Sequence, residues 1–254
     1  MTLVESIVRR ERRVLLAALV AVPLVCWAWI VPMARDMYGS MSGPSAWMMA
    51  AVWDARHTAL LAAMWIVMMI GMMTPSAAPA LLAYAGVMRR SPEGPKAALR
   101  VYPMAAGYLL VWTLFSVGAA LLQRTLGAAV LSPMMTTVSP WVTAGLLVVA
   151  AVYQMTPAKS ACLDSCRTPI GFITTHVRTG AAAAFRLGVD HGLHCVGCCW
   201  ALMLLLFAGG VMNLWTIASL TVFVLLERLA PFGARTRHLS AAGLLAAAAW
   251  VVLR

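Results

Sequence analysis

The chain has 254 residues, of which 63% are hydrophobic and only 11% charged, with a mean hydropathy of +0.87. Too little polar surface is available to cover a soluble domain of this size, so the chain reads as a single integral membrane domain, residues 1–254, built as an all-α polytopic bundle. The net charge of +11 would point to nucleic acid in a soluble protein. In an apolar chain it reads instead as the positive-inside bias, with the lipid bilayer as partner and no nucleic acid.

Seven apolar stretches follow in chain order: 14–34, 58–88, 101–123, 140–157, 188–209, 211–230 and 239–253. The six-span alternative leaves the last stretch in the interface. With the N-terminal RRERR placed in the cytoplasm, every Lys and Arg lies on the inner side except Arg35, Arg56, Arg124 and Arg254. That asymmetry favours a cytoplasmic N-terminus and a multi-pass protein of the bacterial inner membrane. The first span is too long in its apolar core for a cleaved signal, and no small-x-small site follows it. Trp27, Trp29, Trp47 and Trp53 suit an interfacial belt or lipid-facing packing. Cys26 reads as a small buried hydrophobe.

The second span carries MWIVMMIGMM, in which Met64, Met68 and Met72 recur every fourth residue. Thioethers are soft neutral ligands that favour Cu(I), although methionine is also a common apolar filler. Pro75 and Pro79 follow and predict a kink or a break, with Thr74 and Ser76 available to satisfy freed carbonyls.

The fourth span leads into an inner loop with CLDSC, which places Cys162 and Cys166 beside Lys159 and Arg167. Those cations would favour thiolate or simply belong to the inner charge belt. Glu227 is expected to pair with Arg228 or another basic neighbour, and Asn213 to hydrogen-bond in a tight turn after AGG. His57 and His238 read as interfacial, and His176 as an outlying ligand candidate.

The fifth span opens with DHGLHCVGCCW. At about 100° per residue, His191, His194, Cys195, Cys198 and Cys199 fall on one arc of roughly 140°. The stripe is ~12 Å long, too long for one ion. It therefore predicts either one wall of a site that the CLDSC pair completes or two ions along the stripe. Thiolate with imidazole suits Cu(I) first, with Zn or Fe also compatible, and argues against Mg(II) or Ca(II). Asp190 would orient a histidine or cap the helix. Gly188 and Gly192, as small-xxx-small, predict a close helix crossing.

The stretches MWIVMMIGMMTPSAAPALLAY, YLLVWTLFSVGAALLQ, YQMTPAKSACLDSCRTPIGF and the segment from GVDHGLHCVGCCWALM to ERLAP together resemble a bacterial family of predicted metal-binding integral membrane proteins of unknown function. The resemblance covers residues 60–232. It implies an inner-membrane protein with a metal site drawn from Cys162, Cys166, His191, His194, Cys195, Cys198 and Cys199.

No nucleotide-binding, zincin or GxSxG motif is present. The expected function is transport or delivery of a soft metal, most simply Cu(I), through the Cys/His site and the Met68 and Met72 ladder. A membrane or soluble metal-chaperone partner would exchange the ion. A metal- or thiol-dependent oxidoreductase and a metal-binding subunit or assembly factor of a larger complex are the alternatives. The CxxxC spacing of Cys162 and Cys166, rather than CxxC, weakens the thiol-redox version.

Overall fold

The computed structural model describes residues 3–39, 54–91, 94, 97–130, 136–137, 139–176, 179–229 and 233–254. Trp47, Trp53 and the side chain of His176 lie outside the described residues. The chain is all-α, and the described residues form α1 (Leu3–Met37), α2 (Ala55–Arg89), α3 (Ala97–Val130), α4 (Pro140–Met155), α5 (Pro157–Arg167), α6 (Pro169–His176), α7 (Ala181–Met203), α8 (Leu205–Gly209), α9 (Leu214–Leu229) and α10 (Gly233–Leu253).

Local sequence explains many of the boundaries. Three Ser/Thr-Pro pairs, at 139–140, 156–157 and 168–169, each stand at a helix start. Proline at the first helical position has no N–H to leave unpaired and a pre-set φ. Asp54 caps α2 by accepting from the His57 N–H at 2.7 Å. Thr156 caps α5 by accepting from the Lys159 N–H at 3.2 Å. The turn before α9 uses Gly210 at φ 94°, and the Asn213 side chain accepts from the Trp215 N–H at 3.0 Å. That is the capping turn expected after AGG.

Among the described residues, five helical stretches are long and apolar enough to cross a membrane: Arg13–Met37, Ala55–Arg89, Leu99–Gly127, Ala181–Gly209 and Thr236–Leu253. A sixth is added if α4 and α5, bent by 67°, form one broken span. The stretch read as the sixth span folds as α9, whose 16 residues fall short of the ~20 that a span needs. The last stretch, by contrast, qualifies. The expected seven spans therefore reduce to five or six by length and composition.

Two predicted breaks differ from the structure. α2 runs without interruption through Pro75 and Pro79. The Thr74 hydroxyl donates to the Ile70 carbonyl and the Ser76 hydroxyl to that of Met73, neither of which is a carbonyl that Pro75 or Pro79 frees; those are the carbonyls of Gly71 and Pro75. CLDSC is not in a loop: Thr156 and Pro157 start a new helix that carries it.

The bundle is held by close backbone contact as much as by bulk. α1 packs mainly on α2, and its buried residues Cys26, Ile30, Met33, Ala34 and Met37 recur at helical spacing. A Cβ placed on Gly71 would lie 2.9 Å from the Cys26 Cβ, which confirms Cys26 as a packing residue. α3 crosses α7 closely, α5 folds back on α7, and α10 packs mainly on α4. At the centre, Trp65, Trp112, Tyr84 and the α2 methionines are fully buried. The apolar residues left outside, such as Leu24, Val25 and Leu114, face the direction lipid would occupy.

Candidate metal centre

α7 presents one buried face. His191, Cys195, Cys198 and Cys199 are 3%, 0%, 1% and 0% exposed. Leu193 faces outward, and His194, at the edge of the arc, is half-buried. The Cys198 and Cys199 thiols both reach the Cys195 carbonyl, at 3.2 and 3.0 Å. Gly188 and Gly192 share this face and let α3 approach: a Cβ on Gly188 would sit 2.0 Å from the Met104 carbonyl oxygen.

The approach of α3 delivers Tyr108. Its hydroxyl donates to the Met73 carbonyl at 3.0 Å and lies 3.1 Å from Cys195 Sγ. α9 delivers Arg228, which is buried. Its Nη2 donates to Cys195 Sγ at 2.7 Å and to Cys198 Sγ at 3.1 Å. Its Nη1 donates to Ser76 Oγ on α2 at 2.9 Å. Two sulfurs thus converge on one cationic nitrogen.

α5 brings the other thiols to the same face of α7. A Cβ on Gly197 would lie 2.7 Å from Cys162 Sγ, so Cys162 seats on the backbone there. The Cys166 thiol is within hydrogen-bonding reach of Cys198. All six cysteines are free thiols. The cations beside CLDSC do different work from that expected. Lys159 forms a fully buried ion pair with Glu227 at 2.8 Å. Arg167 donates twice to the Glu227 carbonyl, at 2.9 and 2.6 Å. Among the described residues, the guanidinium bonded to the thiols is Arg228, not Arg167.

The histidines separate. His191 sits between Tyr108 and Phe172, with ring centroids 5.7 and 5.9 Å away. Neither of its ring nitrogens has a partner among the described residues. His194 Nδ1 is 2.8 Å from the Asp190 backbone carbonyl, so the Asp190 contact is not through its carboxylate. Asp190 is exposed and lies nine residues into α7, which starts after Gly180. The capping role is thereby excluded.

The methionines are buried, Met68 at 0% and Met72 at 2% exposed. At about 100° per residue, Met64 lies roughly 20° from Gly71, on the α1 side. Met72 lies roughly 40° from Ser76, and Met68 roughly 80°. The ladder therefore rotates from the α1 contact toward the Arg228 partner as it rises. Among the described residues, no three His, Cys, Asp or Glu side chains converge as a ready ion cage. The centre is a thiol pair with a counter-cation, ringed by Cys162, Cys166, Cys199 and His191.

Sequence reasoning missed Arg228, Tyr108 and Ser76 as parts of the centre. One signal was available: an arginine next to a glutamate inside an apolar stretch, LLERLAP. A charge in such a setting needs a specific partner. Tyr108 carries a direct test. Tyr108→Phe removes the hydroxyl that joins α2 to Cys195. It is expected to cost about 1 kcal/mol, the usual net worth of one buried hydrogen bond, measured as a lower thermal midpoint in detergent.

Searches of curated proteins and of solved structures returned no match. A family profile does match, over residues 62–251. That is most of the chain and includes every element around the thiol pair, which agrees with a copper-related metal-binding role. By this match the chain belongs to the PpoB2 family, described as copper chaperones.

Proposed function

We propose that this chain is a membrane-embedded Cu(I) carrier in which Cys195 and Cys198 hold the ion. One observation carries the reading: two buried sulfurs on one helix face converge on a single cationic position. Soft thiolates select Cu(I), and two of them satisfy it without a further cage. Cys162, Cys166, Cys199 and His191 surround the pair and serve as exchange ligands during loading and release. His194, at the half-exposed edge, offers the first imidazole to an arriving or departing ion. Met68 and Met72 form a weak thioether path along α2 that ends at Ser76.

The basic residues favour a bacterial inner membrane with the thiols toward the cytoplasm. The ion is then transported or delivered to a membrane or soluble partner. Cu(I) is cargo here rather than a resident cofactor.

Metal analysis of protein purified without oxygen tests the proposal. The wild-type chain is expected to retain copper, or added Cu(I), through desalting. Cys195→Ser/Cys198→Ser is expected to lose it. Met68→Leu/Met72→Leu is expected to retain copper but to load more slowly. A wild-type protein that binds no copper under these conditions defeats the proposal.

A further inference from the structure

We infer that Arg228 sets the charge selectivity of the centre, favouring monovalent over divalent soft ions; the inference rests on the proposed Cu(I) reading. The guanidinium is buried and bonded to both sulfurs and to Ser76. The carboxylate beside it in sequence, Glu227, is committed to Lys159 at 2.8 Å. That ion pair is neutral as a unit, so it does not balance Arg228. Balance must come from the thiol pair and whatever it holds.

Metal-bound thiols are thiolates. One monovalent ion on two thiolates leaves a single net negative charge, which the guanidinium cancels. One divalent ion on the same pair leaves none, and the guanidinium then stands uncompensated in an apolar interior. An unbalanced buried charge is strongly disfavoured. Neutral ligands do not alter the count, so a methionine thioether or the His191 imidazole is permitted. The guanidinium bonds no thiol other than Cys195 and Cys198 among the described residues. Among the described residues no third anionic group converges with the pair.

Softness and charge are separable by experiment. Ag(I) and Cd(II) are both soft but differ in charge. Their binding is compared by competition with a thiol chelator, in the wild type and in variants of the counter-charge. The wild type is expected to prefer Ag(I), and Arg228→Met to lower the Ag(I)-to-Cd(II) affinity ratio by at least tenfold. Arg228→Lys, which keeps the charge, should retain most of the ratio.

Ser76→Asp covers the case in which Arg228→Met does not fold. It sets a carboxylate against Nη1 and neutralises the guanidinium in place. It should shift the ratio toward Cd(II) in the same direction. A ratio unmoved in Ser76→Asp, or in a folded Arg228→Met, overturns the inference without touching the Cu(I) reading of the wild type. A wild type that binds neither ion overturns the Cu(I) reading and this inference together.

Discussion

Lys159→Met is expected to destabilise the protein by about 3–5 kcal/mol, the usual loss when one partner of a buried ion pair is removed. The ammonium and carboxylate are 0% and 2% exposed and 2.8 Å apart. Glu227 Oε1 has no partner among the described residues, so Lys159 supplies the only side-chain bond that is seen at that carboxylate. Removing Lys159 strands the anion in the interior. Glu227→Gln strands the ammonium instead and should cost a similar amount. At ~2–4 °C per kcal/mol for a chain of this size, the thermal midpoint should fall by roughly 6–20 °C. The double variant Lys159→Met/Glu227→Leu should recover most of the loss, because no unpaired charge remains. Thermal unfolding of the three variants in one detergent measures this. A double variant no better than either single one would show that the pair's charges are not what matters.

The same pair has a geometric consequence. Lys159 lies on α5, which carries Cys162 and Cys166, and Glu227 lies on α9, beside Arg228. Arg167 adds a second tie between these helices through the Glu227 carbonyl. The pair therefore fixes the spacing between the α5 thiols and the counter-cation of the central thiols. Copper retention should fall along with the thermal midpoint in the single variants.

The parts of the fold that were legible in the sequence are those set by local rules. Long apolar runs announced the spanning helices, and Ser/Thr-Pro pairs mark starts that sequence inspection passes over. The arc of His191, His194, Cys195, Cys198 and Cys199 followed from helix periodicity; four of its members are buried and His194, at its edge, is half-buried. The crossing at Gly188 and Gly192 followed from residue size alone. Two kinds of feature were hidden. CLDSC looked like a loop because it is short and polar for a membrane segment. It is helical because Thr156 caps it and because Cys162 and Cys166, one turn apart, can both face α7. Arg228 was hidden for another reason. Its partners Ser76, Cys195 and Cys198 are 152, 33 and 30 residues away in the chain. No periodicity within one helix reports on such a contact, and the charge count assigned Arg228 to the inner belt. The span count differs at α9, where the described residues form a helix of 16 residues, short for a crossing.

Gly188→Ala is expected to be among the most disruptive single changes in the chain, although it adds one methyl group. The new Cβ would lie 2.0 Å from the Met104 carbonyl oxygen and 2.8 Å from its carbonyl carbon. Gly107 on the facing helix has the reciprocal problem, with a Cβ 2.2 Å from the Phe185 carbonyl oxygen and 2.9 Å from the Val189 nitrogen. Each obstacle is helix backbone, which has no rotamer to change, so relief requires the helices to move apart. Overpacking usually costs about 1–3 kcal/mol, and a rigid obstacle puts either variant at or above the upper end. Gly192→Ala should be milder, because its nearest contact is the Val111 side chain at 2.9 Å. Gly118→Ala, in the same helix as Gly107 but with nothing within 4 Å of its added Cβ, should be neutral or stabilise by up to ~1 kcal/mol. The separation also reaches the proposed metal centre. Gly107 precedes Tyr108, whose hydroxyl is 3.1 Å from Cys195 Sγ, so a wider crossing withdraws that contact. Gly107→Ala should therefore lower both the thermal midpoint and copper retention, whereas Gly118→Ala should lower neither. Equal behaviour of the two variants would mean that the α3–α7 crossing is looser than the structure has it.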